Sequence, residues 1–140
     1  KPSEGNGKSA SHSQRDQSRQ QIRSVVVIED QQDNREMLNA LLGMEGFDVS
    51  TAENGKTGLQ LIRNTDPDAA VIDLGLPELN GNEVARTLRS ERGDDLFLIA
   101  LTGYGQPEDI QRAKEAGFDE YLVKPLDLDR LLALLKKPGN

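Results

Sequence analysis

Four runs along the chain are apolar throughout: Val25-Val26-Val27-Ile28, Ala69-Ala70-Val71-Ile72, Leu96-Phe97-Leu98-Ile99-Ala100-Leu101 and Tyr121-Leu122-Val123. Continuous rather than alternating hydrophobicity suits parallel strands covered by helices on both faces. Phe47-Asp48-Val49-Ser50-Thr51 reads as a further short strand. Between these runs the spacing turns helical. Met37, Leu38, Leu41 and Leu42 form a stripe expected to be core, and Gly43 and Gly46 mark its end. Asn54 can cap a helix through Leu59 and Ile62 towards Arg63. Pro77 to Gly81 reads as a loop, followed by a short helix from Glu83 to Arg89 with Val84 and Leu88 inward. Pro107 suits a first helical turn, and residues 108–116 stop at Gly117. Asp127 can cap a last helix whose apolar side is Leu128, Leu131, Leu132 and Leu135. Five strand–helix alternations predict an α/β fold with a parallel sheet and right-handed crossovers.

The pattern is absent from residues 1–23, where Ile22 is the single large aliphatic among Ser, Gln, Gly, Lys and Arg. Such a stretch buries too little apolar surface to offset its ordering entropy. It is expected to be a flexible linker, with the folded domain at residues 24–135 and a short tail at 136–140. The chain opens at Lys1 without the order of a signal peptide, as a piece of something longer would. Lys1, Lys8, Arg15, Arg19 and Arg23 against Glu4 and Asp16 give the tail a net +3, which leaves −10 of the chain's −7 on the remainder. An acidic domain is poorly suited to nucleic acid, whose binding rests on Lys and Arg neutralising phosphates. No apolar stretch approaches the ~20 residues of a membrane span, so no membrane contact is expected of this chain. With no cysteine, disulfide and thiolate chemistry are excluded, which fits a reducing, cytoplasmic setting.

The polar residues that end the strands carry the chemistry. Glu29 and Asp30, then Asp73, Thr102 and Lys124, each stand at the carboxyl end of an apolar run. In open parallel sheets the ligand lies beyond that edge. Three acids in one cleft repel unless a cation intervenes. With oxygen ligands only, the hard cation Mg²⁺ is preferred to zinc or copper. Lys124 is a compact charge suited to a phosphoryl oxygen, and Thr102 offers a short hydroxyl donor. A carboxylate between a metal and a lysine can act as a nucleophile and accept a phosphoryl group as an acyl phosphate. Singly, each residue has a plainer explanation: a helix cap for Asp30 or Asp73, a solvated surface lysine, a turn threonine. Their conjunction at successive strand ends carries the functional reading.

With these positions in place, the chain resembles the response-regulator receiver domain of two-component signalling over residues 24–135. The resemblance lies in Val25-Val26-Val27-Ile28-Glu29-Asp30, Val71-Ile72-Asp73-Leu74-Gly75-Leu76-Pro77 with Gly81, Ala100-Leu101-Thr102-Gly103 and Tyr121-Leu122-Val123-Lys124-Pro125. It implies a doubly wound, flavodoxin-like sheet of five parallel strands in order 2-1-3-4-5 with five flanking helices. It further implies Asp73 as phosphoacceptor and Asp30 as direct Mg²⁺ ligand beside Glu29. The backbone carbonyl of Gly75 would complete the protein's share of the metal shell. Thr102 would sense the phosphoryl group, Lys124 would pair with it, and Tyr121 would be the switch aromatic, turning inward from solvent. The Lys124–Pro125 bond is expected to be cis. The implied donor is a histidine kinase or a histidine phosphotransfer domain, and a monomer is favoured.

Two departures bear on the chemistry. Many receivers have Asp where Glu29 stands, and the longer arm alters metal affinity or water positioning. Gly75 leaves the phosphoryl site open, whereas Tyr104 would shield it. The long linker, with little chain after the last helix, resembles the layout of a receiver at the C-terminus of a hybrid sensor histidine kinase; a stand-alone single-domain regulator is the alternative. An aspartate-nucleophile phosphohydrolase of the haloacid-dehalogenase kind would share the strand-end Asp, Mg²⁺, Thr and Lys. It normally carries a second Asp where Gly75 stands, and a cap for which this chain has no room. A stand-alone enzyme is therefore not expected, only self-catalysed phosphotransfer and autodephosphorylation. Gly5-Asn6-Gly7-Lys8-Ser9 lacks the first glycine and the preceding strand of a P-loop, and His12, the only histidine, sits in a solvated Ser/Gln setting.

Overall fold

The computed structural model of the chain describes residues 21–103 and 105–136. The glycine-rich segment before Lys8, His12, Tyr104 and most of the expected linker and C-terminal tail lie outside the described residues.

Strands and helices alternate without exception: β1 (Ser24–Ile28), α1 (Gln32–Met44), β2 (Asp48–Ala52), α2 (Gly55–Thr65), β3 (Ala69–Asp73), α3 (Gly81–Arg92), β4 (Phe97–Thr102), α4 (Pro107–Ala116), β5 (Glu120–Val123) and α5 (Leu128–Lys136). The five strands form one parallel sheet in the order β2-β1-β3-β4-β5, the doubly wound flavodoxin-like arrangement.

The apolar runs feed two cores because successive side chains in a strand point to opposite faces. Val25, Val27, Val71, Ile99 and Leu101 pack with Leu38 and Leu42 of α1 and Leu131 and Leu135 of α5. Val26, Ile28, Ile72, Leu98 and Ala100 pack on the other side with Ile62 of α2, Val84 and Leu88 of α3 and Ala113 of α4. Consecutive apolar residues of β1, β3 and β4 are thus divided between the two layers.

Local signals set the helix ends. Asn54 Oδ1 accepts the Thr57 N–H at 2.8 Å, and Asp127 Oδ1 accepts that of Arg130 at 3.3 Å. Helix α3 begins earlier than the hydrophobic pattern implied, at a capping box. Asn80 Oδ1 accepts the Glu83 N–H and Glu83 Oε1 accepts the Asn80 N–H, both at 3.0 Å. Gly117 ends α4 with φ 112°, a conformation glycine adopts without Cβ strain.

Two sequence expectations need correction. Met37 is 44% exposed and Leu41 only partly buried, so the α1 stripe reduces to Leu38 and Leu42. Met37 is turned ~100° from Leu38 around the helix and so leaves the sheet-facing side. Ile22, assigned to the linker, is 8% exposed and belongs to the α1/α5 core. Just after it, the Asp68 carboxylate accepts the backbone N–H of Arg23 at 2.8 Å and of Ser24 at 3.1 Å, which fastens the entry into β1.

Candidate functional site

The parity that builds the two cores also sorts the strand-end residues. Asp73 continues the Ala69–Val71 face of β3, and Lys124 continues the Leu122 face of β5. Thr102 continues the opposite, Leu98–Ala100 face of β4, as Tyr121 does on β5. Asp73 and Lys124 therefore meet over β4. Lys124 Nζ donates to Asp73 Oδ2 at 2.8 Å and lies 3.5 Å from Glu29 Oε1. A span of two strand spacings, roughly 10 Å, needs the long flexible stem of lysine.

Both buried carboxylates are also held by backbone. Asp73 Oδ1 accepts the Gly75 N–H at 2.9 Å. Glu29 Oε2 accepts the Gln31 N–H at 3.0 Å. Glu29 is only 1% exposed and Asp73 5%, whereas Asp30 faces solvent. Burial pushes the Glu29 carboxyl above its usual range, against the lowering effect of the Gln31 hydrogen bond, and the Asp73 charge pushes it further up. Burial opposes the charge on Lys124, but its hydrogen bond to Asp73 and the charges of Asp73 and Glu29 prevail and raise its pKa.

Carboxylate oxygens of Glu29, Asp30 and Asp73 all lie within 4.8 Å of one another. Three hard oxygen donors with no nitrogen or sulfur among them, one of them solvent-facing, fit an oxygen-loving divalent ion that retains several waters. The excess negative charge, which Lys124 offsets only in part, favours such an ion.

Asp30, Asp73 and Lys124 line an open cleft of about 540 Å³ together with Gly75, Thr102, Asn82 and Arg112. Thr102, 4% exposed, forms part of its wall. Tyr121 is not fully in solvent: it is half-buried and its ring packs against the α2/α3/α4 core. The Lys124–Pro125 peptide bond is cis. Glu29, Asp30, Asp73 and Lys124 are thus brought together, with Thr102 beside them and Tyr121 one strand over.

The sequence reading missed several cleft residues, among them Asn82, Arg112 and Asp109. Asn82 sits at the second position of α3, and its Oδ1 is buried without a hydrogen-bond partner. Arg112 and Asp109 reach the cleft from α4, paired at 3.0 Å. The Asn-Gly-Asn sequence at 80–82 was a visible helix-start signal, but nothing local marks Arg112.

Residues 25–136 match the family described as the response regulator receiver domain. The chain belongs to that family. It is 40% identical over 112 residues to response regulator MprA of Mycobacterium sp. (strain KMS), covering 80% of this chain and 48% of that protein. The chain thus spans about half the length of the MprA relatives it matches. Among solved structures it is similar to the Vibrio cholerae chemotaxis protein CheY4, with TM-score 0.77 and 27% identity over 82% of this chain and 97% of that one. The signal receiver domain of a signal transduction histidine kinase from Syntrophus aciditrophicus is also similar, with TM-score 0.73 and 26% identity over 81% and 86% of the two chains. Receiver domains of response regulators accept phosphoryl groups from histidine kinases and typically bind Mg²⁺ in an acidic pocket. Among the described residues no helix is long and apolar enough to cross a membrane.

Proposed function

We propose that this receiver domain takes a phosphoryl group from a phosphohistidine onto Asp73. The observation that carries the proposal is the state of the Asp73 carboxylate: buried, with one oxygen on Lys124 and the other on the Gly75 N–H, beside two further acids. In the transfer an Asp73 oxygen bonds to phosphorus as the phosphorus–nitrogen bond breaks. The electron pair leaves on the imidazole nitrogen, and the product is an aspartyl phosphate. Glu29, Asp30, Asp73 and the Gly75 carbonyl would hold Mg²⁺, which supplies charge neutralisation at the phosphoryl oxygens. Lys124 would follow the phosphoryl group, exchanging a carboxylate oxygen for a phosphoryl one, and the Thr102 hydroxyl would donate to another. Little covalent chemistry is asked of the protein beyond placing and neutralising these charges.

The switch follows from the parity of the strands. Drawing the Thr102 hydroxyl towards a phosphoryl oxygen opens space on the β4 face that Thr102 shares with Tyr121, into which the half-buried ring can settle. The surface of α4, β5 and α5 then changes. Tyr121→Ala leaving partner binding equally sensitive to phosphate would sink this part of the proposal.

Placement in the parent protein is a separate matter. The expected position at the end of a hybrid kinase rests on the linker. The curated relatives favour a response regulator, while the Syntrophus receiver supports the kinase reading.

The test is incubation of the chain with Mg²⁺ and acetyl phosphate, followed by intact mass. The expected result is an increment of one phosphoryl group that requires Mg²⁺ and is missing in Asp73→Asn. No adduct under rapid quenching, together with no Mg²⁺ binding, would overturn the proposal and leave a phosphorylation-independent scaffold.

A further inference from the structure

We propose that Arg35 is a positioning residue for the cation site: its guanidinium fixes the loop between β1 and α1 so that Glu29 and Asp30 present their carboxylates to one Mg²⁺ ion. The inference rests on the reading of Glu29, Asp30 and Asp73 as that site.

Arg35 lies one turn into α1 and is half-buried. Its Nη1 donates to the Glu29 carbonyl at 2.9 Å and, at the long limit of 3.4 Å, to the Asp30 carbonyl. Its own backbone N–H donates to the Gln31 carbonyl at 2.9 Å. Three successive carbonyls therefore point towards one residue. In a trans peptide the C=O and the following N–H are antiparallel. Holding the Asp30 carbonyl on the helix side turns the Gln31 N–H the other way, and there it donates to Glu29 Oε2 at 3.0 Å. Arg35 thus acts through a peptide plane on the carboxylate of Glu29, and through the adjoining plane on the backbone that carries Asp30. None of these bonds is to a carboxylate, so its role is in shaping the loop rather than in neutralising an acid.

Charge and geometry predict opposite outcomes. Removing a nearby positive charge by itself strengthens the binding of a second cation. Releasing the loop weakens it, because the ligands must then be ordered when the ion binds. A merely structural role would lower the melting temperature and leave Mg²⁺ affinity of the folded protein unchanged.

The experiment is a Mg²⁺ titration of the full chain, by calorimetry or amide chemical shifts at constant ionic strength, for wild type, Arg35→Ala and Arg35→Lys. Thermal melts show each to be folded at the titration temperature. Arg35→Ala is expected to bind Mg²⁺ ~10-fold more weakly, the lower end of what loss of an outer-shell partner costs. Arg35→Lys, which keeps the charge without the planar fork, falls between the two. The acetyl phosphate reaction of Arg35→Ala recovers towards wild type as Mg²⁺ is raised to saturation. Equal or tighter Mg²⁺ binding in Arg35→Ala, or a reaction that stays slow at saturation, overturns the proposal. If Arg35→Ala does not fold, wild-type affinity in folded Arg35→Lys overturns it instead. Wild type that binds no Mg²⁺ refutes the underlying site reading, and this inference with it.

Discussion

Lys124 Nζ sits 2.8 Å from Asp73 Oδ2 although β4 separates their strands. In this state the ammonium pairs with two of the three clustered acids, touching the carboxylate that would be modified and lying 3.5 Å from Glu29. On the proposed function it would both compete with a metal ion for these charges and stand ready for a phosphoryl oxygen. Lys124→Met should separate the two effects. Mg²⁺ binding should persist and tighten, because a cation a few ångströms away no longer opposes it. Adduct formation from acetyl phosphate at saturating Mg²⁺ should fall by about 10²–10³, the usual consequence of removing a preorganised donor from a developing oxyanion. Calorimetry and timed intact-mass measurements on the same sample check both directions.

Gly81 lets α3 approach the phosphoacceptor strand. A Cβ there would lie 2.7 Å from the Asp73 carbonyl oxygen and 2.8 Å from Leu74 Cα, both backbone atoms that cannot rotate away. Gly81→Ala should therefore cost about 1–3 kcal/mol in denaturant unfolding, as overpacking does, and should slow phosphorylation by moving Asp73. Gly43 is the control. Nothing lies within 4 Å of its Cβ position and it is helical, so Gly43→Ala should stabilise by roughly 0.5–1 kcal/mol and leave the chemistry unchanged.

The central layer was legible because a strand buried on both faces must be apolar at every position, and a polar residue then marks its end. Asp73 and Thr102 stand out for that reason, whereas Lys124 follows an edge strand, β5, whose Val123 is 41% exposed. Amphipathic edges were less legible. Met37 belonged to a plausible stripe, but which side of α1 meets the sheet depends on the crossing of helix and strand, not on spacing alone. Ile22 read as an isolated aliphatic in a polar tail, and its burial depends on Leu135 and Phe47, far away in sequence. Arg112 and Arg35 carry no motif, and the Asn-Gly-Asn sequence around Asn82 signals a helix start rather than a cleft. Their places in or beside the cleft follow from helix orientation and from where loop carbonyls point.

Arg89 of α3 ties together two loops, 93–96 and 117–119. Its Nε donates to the Gly117 carbonyl at 2.8 Å, its Nη1 to those of Gly93 and Leu96 at 2.8 and 2.7 Å, and its Nη2 to Asp119 Oδ2 at 2.7 Å. The same Asp119 oxygen accepts the Leu98 N–H at 2.8 Å. Arg89→Met keeps much of the stem but strands these acceptors, and should destabilise by about 2–3 kcal/mol. Arg89→Lys should lose most of that too, since an ammonium cannot address carbonyls on several sides at once. Both variants should still form the Mg²⁺-dependent adduct below their melting temperatures, because Arg89 touches nothing at the carboxylate cluster. Chemical denaturation and intact mass together test this.

Arg63 of α2 and Glu91 of α3 form a two-bond fork, Nε to Oε1 at 3.0 Å and Nη2 to Oε2 at 2.6 Å. The hydrogen bond from Arg63 holds the Glu91 carboxyl below its ordinary value of 4.5, with the charges of Arg63 and Arg92 acting the same way. A carboxyl whose folded pKa is depressed contributes stability that is present above its unfolded pKa and lost as the pH falls through the folded one. Glu91→Gln should therefore melt at a lower temperature than wild type near neutral pH, and the gap should close on acidification below about pH 4. Both side chains are solvent-facing, so the gap at neutral pH should be small and should shrink with added salt, as screening of an exposed pair requires. A gap that persisted in acid or in high salt would assign the stabilisation to packing of the two stems rather than to their charges.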